Sequence, residues 1–134
     1  MANFIKSYQA NVGLNHTPAY QVSGQPFATA SVDASTAVSI TFPYVTRWFQ
    51  VINTSATPLR VGFSQAGVEG TNYFSVDASG SSGNGKSEVY ELKVSQVWLS
   101  GSATADVVAG LTSIPSSRTT TDSGPSWSGS SGVG

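Results

Sequence analysis

The chain has 134 residues, no cysteine and a formal net charge of -1, and only 10% of its residues are charged against about 25% in an average domain. These values exclude disulfides, thiolate chemistry and a phosphate-neutralising basic stripe, since Lys6, Arg47, Arg60, Lys86, Lys93 and Arg118 are scattered singly. The length suits one domain that buries roughly two thirds of its unfolded surface, and so few charges give little electrostatic protection against association.

Residues 1–26 read as an N-terminal arm, polar with scattered apolar positions (Phe4, Ile5, Tyr8, Val12, Leu14) able to dock on the domain or a neighbour. The start lacks a basic region followed by an apolar run, so nothing in it directs classical secretion. The sequons at Asn15 and Asn53 are therefore expected to be chance matches. No stretch approaches the roughly 20 apolar residues of a membrane span.

Residues 27–114 read as a ladder of short strands. Phe27 to Val32 is the first, and Ala37 to Phe42 the second, alternating Val38, Ile40 and Phe42 with Ser39 and Thr41. A period of two means one buried and one wet face. Val45 to Asn53 is apolar on both faces, with Phe49 and Val51 opposed to Trp48 and Ile52, so it lies beneath a second layer or another subunit. Pro58 to Ser64 comes next, then a loop from Gln65 to Thr71, and a short strand from Asn72 to Val76. Beyond a Gly/Ser loop, Ser87 to Val94 puts Tyr90, Leu92 and Val94 on one face; Gln96 to Leu99 and Ala103 to Leu111 complete the set, Asp106 facing out. The sum is an all-β fold: a single antiparallel β-sandwich of about eight strands, the number in a jelly roll, with extended arms. The Ser/Gly-rich tail, 115–134, has a composition that ordinarily stays disordered. Its single Trp127 anchors it either in a partner's pocket or back on its own domain.

The chemical motifs are sparse. Gly80-Ser-Ser-Gly-Asn-Gly-Lys-Ser87 matches the phosphate-loop pattern, but that loop must open a helix whose free amides hold the phosphates. The residues after it, Ser87-Glu-Val-Tyr-Glu-Leu-Lys-Val94, have strand period, so the match reads as composition. His16 is the only histidine and has no metal-ligand company. Among the acids, Glu88 and Glu91 are an odd number apart and face opposite sides of a strand. No nucleophile elbow or paired-carboxylate cleft emerges, so no catalytic residue, cofactor or metal is expected. The strand aromatics read mainly as core and subunit interface, with stacking platforms as the alternative. Trp48, Arg47, Arg60 and Trp127 are the interface candidates, the two arginines as bidentate partners for carboxylates of a neighbouring copy.

Three segments, Ile40-Thr-Phe-Pro-Tyr-Val-Thr-Arg-Trp-Phe-Gln-Val-Ile-Asn53, Leu59-Arg-Val-Gly-Phe-Ser64 and Gly70-Thr-Asn-Tyr-Phe74, resemble the vertex (penton) single jelly-roll capsid proteins of large icosahedral double-stranded DNA viruses. The resemblance covers about residues 37–111 and carries no catalytic signature. It implies a structural virion protein, assembled in the host cell. Five copies would close a five-fold vertex against neighbouring capsid proteins, with no direct nucleic-acid contact. Such a ring needs two different patches that meet head to tail. The chain leaves no room for an inserted spike domain, which keeps a decoration or minor capsid role in view. A receptor- or carbohydrate-binding head is the other expectation, and a shallow groove lined by Trp or Tyr would mark it.

Overall fold

The computed structural model describes Leu14 and residues 24–79, 85–121 and 124–134. Among these the chain forms nine strands: β1 (Gln25–Ala34), β2 (Val38–Thr41), β3 (Tyr44–Asn53), β4 (Leu59–Gly62), β5 (Tyr73–Val76), β6 (Gln96–Ser100), β7 (Ser102–Pro115), β8 (Thr120–Thr121) and β9 (Gly124–Pro125). A short helix, α1 (Gln65–Glu69), joins β4 to β5, and a 3-10 turn (Ser116–Thr119) comes after β7. The strands form a three-stranded sheet in the order β1-β7-β3, a four-stranded sheet in the order β2-β6-β4-β5, and the small β8-β9 ribbon. All these pairings are antiparallel.

The two main sheets enclose one core, so the fold is an all-β sandwich. Phe49 and Val51 of β3 and Val107, Ala109 and Leu111 of β7 meet Leu59 and Val61 of β4 and Val97 and Leu99 of β6, all almost fully buried. On β6, and from Thr104 to Ala109 of β7, the period of two is realised residue by residue, and Ala109 to Thr112 are then buried in succession. Phe42 closes the core edge-on against Phe27, ring centroids 5.0 Å apart. The two-sided character expected of β3 is present: Trp48 and Ile52 stay half-buried on the face opposite Phe49 and Val51. Val45 and Thr46 are buried in succession because the β3–β7 register slips on both sides of Thr46.

Two buried or strained features fix the sheet ends. Asn53, 1% exposed, is a hub at the end of β3. Its Nδ2 donates to the carbonyls of Thr57 (2.7 Å), Asp77 (3.2 Å) and Val76 (3.4 Å), and its Oδ1 accepts from the Ser102 hydroxyl (2.9 Å) and the Ser55 amide (3.1 Å). A buried amide so fully partnered ties three connections together. Ser31 has φ of 56°, where the β1–β7 register slips between Thr29 and Val32. Its amide donates to the Asp106 carboxylate at 3.0 Å, so the half-exposed Asp106 satisfies a donor that the bulge removes from the ladder.

Three expectations need correction. Residues 87–94 do not form a regular strand. They run along the free side of β3 as a broken ladder, with isolated bridges Phe49–Tyr90 and Ile52–Lys86. Side-chain hydroxyls interleave with its backbone bonds: Thr46 Oγ1 donates to Leu92 O at 2.6 Å and accepts from Val94 N at 3.2 Å, and Ser87 Oγ accepts from Val51 N at 2.9 Å. Leu92 is 40% exposed, at a cleft it lines together with Val94. Second, the loop after β4 contains α1, capped by Ser64 Oγ accepting from Gly67 N at 2.9 Å. Third, the described tail is ordered. The Thr119 hydroxyl donates to Ser95 Oγ at 2.7 Å inside the protein, and the β8-β9 ribbon and successive turns fold the rest over α1 and β4.

Candidate functional site

The four interface candidates occupy four different settings. Trp127 packs on its own domain: its indole donates to the Phe63 carbonyl at 2.9 Å, and its ring joins the partly buried shell around the core. Arg47 pairs with Glu91 of its own chain at 3.0 Å, and both side chains are solvent-accessible at 32% and 68%. Such a surface pair contributes at most about 1 kcal/mol. Arg60 lies on the outer face of the four-stranded sheet with its guanidinium 4.7 Å from the Tyr73 ring centroid, a diagonal cross-strand contact between β4 and β5. Trp48 is half-buried on β3, opposite Gly110 of β7. Arg47 and Trp48 are neighbours on β3, and no contact joins them to Arg60 or Trp127 among those described above.

The phosphate-loop match dissolves in the same way. Residues 80–84, His16 and most of 1–26 lie outside the described residues. Gly85, at φ +74°, is a position where a Cβ would approach Asn53 O to 2.7 Å. Lys86 bridges Ile52, and Ser87 pairs with Val51 through its amide at 2.8 Å and its hydroxyl at 2.9 Å. No helix opens there, so the hydroxyl and amide that would face a phosphate face β3 instead. Glu88 and Glu91 are exposed. Among the described residues no three His, Cys, Asp or Glu side chains gather as a metal site, and no helix is long and apolar enough to cross a membrane. The Asp33 carboxyl is held below its ordinary range, because the Ser35 hydroxyl (2.7 Å) and amide (3.0 Å) both donate to it.

Two surface features have the shape of sites. The first is an apolar flank where the edges of the two sheets meet. Phe74 of β5 and Tyr90 of the 85–94 segment pack with ring centroids 4.9 Å apart. In the segment that carries Tyr90, Val89 and Leu92 are 52% and 40% exposed. Beside them Phe63, Leu92, Val94, Trp127 and Val133 line a cleft of about 260 Å³. Clustered exposed apolar side chains of this kind mark contact surfaces.

The second is a groove of about 580 Å³ on the outer face of the four-stranded sheet. Gln96 and Trp98 of β6 form its floor, Gln65 and Glu69 of α1 one wall, and Pro125 and Ser128 of the tail the other. Trp98 points outward because Val97 and Leu99 on either side point into the core. Its indole donates to Gln96 Oε1 at 3.1 Å, and Gln96 Nε2 donates to Thr41 Oγ1 at 3.2 Å. Cross-strand to Trp98 is Gly62, where a Cβ would meet a Val68 methyl at 2.7 Å, so glycine is what lets α1 sit down beside the indole. Neither wall is legible as a site in the sequence. Trp98 reads as a strand residue, but α1 reads as loop and the tail as disordered.

No protein family, curated protein or solved structure matches the chain.

Proposed function

We propose that this protein is a structural subunit that assembles with copies of itself, and that its place is the vertex of an icosahedral virion, as a ring of five. The observation that carries this reading is the apolar flank of Phe74, Tyr90, Val89 and Leu92, beside the Phe63–Trp127 cleft. Its occupant is a second copy. Three features support that choice. The flank lies where β5 ends its sheet, and an unpaired edge is a template for another chain. The chain carries six basic and seven acidic side chains, so copies approach without strong mutual repulsion. Exposed Leu92 and the recess it helps to line give the flank the unlike pieces that a head-to-tail contact, the kind that closes rings, requires.

The test is the mass of the full chain in solution by light scattering, beside the variant Leu92→Asp, which alters an exposed side chain and leaves the core intact. The expected result is a discrete oligomer of five copies that falls to monomer in the variant, with unchanged circular dichroism. A wild-type monomer across the concentration range, or an oligomer indifferent to Leu92→Asp and Val89→Asp alike, overturns the assignment of this flank.

A further inference from the structure

We infer that the groove over Trp98 is a binding site for a neutral sugar, with a pyranose ring laid on the indole and its hydroxyls held by Glu69, Gln65 and Gln96. The residues that line the groove choose the ligand class. Its described lining contains no Lys, Arg or His, so a phosphate, sulfate or nucleotide would enter without a counter-charge. It is not apolar either. The lining offers one large aromatic face, two side-chain amides, a carboxylate and the hydroxyl of Ser128. A ligand that matches must be uncharged, apolar on one face and rich in hydroxyls around its rim. A pyranose has that division, its axial C–H bonds making one face apolar and its equatorial hydroxyls pointing outward.

The geometry supports the match in three ways. The size, about 580 Å³, falls in the range of about 300–1,000 Å³ usual for small-ligand sites. The platform is held before any ligand arrives, since Thr41, Gln96 and Trp98 form a hydrogen-bonded row at 3.2 and 3.1 Å that fixes the indole and reduces the ordering cost of binding. Glu69 retains acceptor capacity. It is exposed, and its carboxylate accepts from the Gln65 amide at 3.4 Å, a long contact that a sugar hydroxyl displaces readily. A carboxylate accepting from two adjacent hydroxyls is the strongest polar contact the groove can make.

The test is a titration of the ¹⁵N-labelled full chain with D-glucose, D-galactose, N-acetyl-D-glucosamine and lactose, and in parallel with inorganic phosphate. The signals monitored are the Trp98 indole N–H and the side-chain amides of Gln65 and Gln96. At least one sugar is expected to shift all three saturably, with a dissociation constant of about 1 mM, the strength of a single shallow site. Glu69→Gln, a substitution on the exposed face of α1, is expected to weaken that binding about tenfold. Trp98→Ala is expected to abolish it, and Trp98→Phe, which keeps a smaller ring, to weaken it partially. Non-saturating or scattered shifts with every sugar overturn the site. So do saturable shifts at these signals with phosphate, or sugar binding unchanged in both Glu69→Gln and Trp98→Phe. Because the readout is local to β6 and α1, its outcome is separate from that of the mass measurement, which probes the apolar flank.

Discussion

Strand β3 has a neighbour on each side, and the two neighbours differ instructively. On one side β7 pairs with it from Trp48 to Asn53 without interruption. On the other, residues 85–94 track it through two isolated bridges, scattered backbone bonds (Asn53 N to Gly85 O, Ser87 N to Val51 O, Thr46 N to Val94 O) and a set of hydroxyl contacts. Both neighbours alternate in sequence, so alternation alone does not make a ladder. In β7 the inward positions, Ala105, Val107, Ala109 and Leu111, carry no group that competes for backbone partners. Along 85–94 the hydroxyls of Thr46 and Ser87 do compete, and each one that enters the ladder shifts the register. The result is one side of β3 with a continuous ladder and one side held by scattered backbone bonds interleaved with hydroxyl contacts.

Substitutions on the two sides sharpen this contrast. The largest effect is expected from Leu111→Ala in β7, which empties a fully enclosed site and costs about 3 kcal/mol; denaturant unfolding should show a lower midpoint with one cooperative transition. Thr46→Val keeps the shape but removes the hydroxyl that serves Leu92 and Val94. It is expected to cost about 1.5 kcal/mol and to raise hydrogen exchange in 86–94 while the β3–β7 amides remain protected. Equal loss of protection on both sides would show that the two edges open as one unit. The smallest effect lies at Asp33, away from either ladder. Its folded-state pKa is depressed by Ser35, so its contribution is present at neutral pH and is lost as pH falls through that lowered value. Asp33→Asn should flatten this small acid-side slope in a stability-versus-pH series and leave the neutral-pH midpoints of Thr46→Val and wild type in the same order.

How much of the fold is legible in the sequence depends on where each signal resides. The core strands are visible because Val97/Leu99 and Val107/Ala109/Leu111 state their period within a few residues. The helix α1 is hidden by Gly67 in its middle and Gly70 at its end, both poor helix residues; the cap at Ser64 is the one local cue. The tail is hidden more deeply. Its order rests on the Trp127 indole bond to Phe63 and on the Ser64 hydroxyl donating to Val133 O at 2.7 Å, contacts between positions more than 60 apart in sequence. The Trp98 groove inherits both omissions, since its two walls are the helix and the tail.

The hub at Asn53 also sets an order of events. Asn53-Thr-Ser55 has the pattern of a glycan acceptor, yet in the folded chain its amide nitrogen is spent on three carbonyls. Sugar transfer to that nitrogen and closure of the β3–β4 turn are therefore mutually exclusive. Whichever happens first forbids the other. In a compartment equipped to glycosylate, the modified fraction of this chain would be a clock, comparing the rate of enzymatic transfer with the rate at which Asn53 goes under.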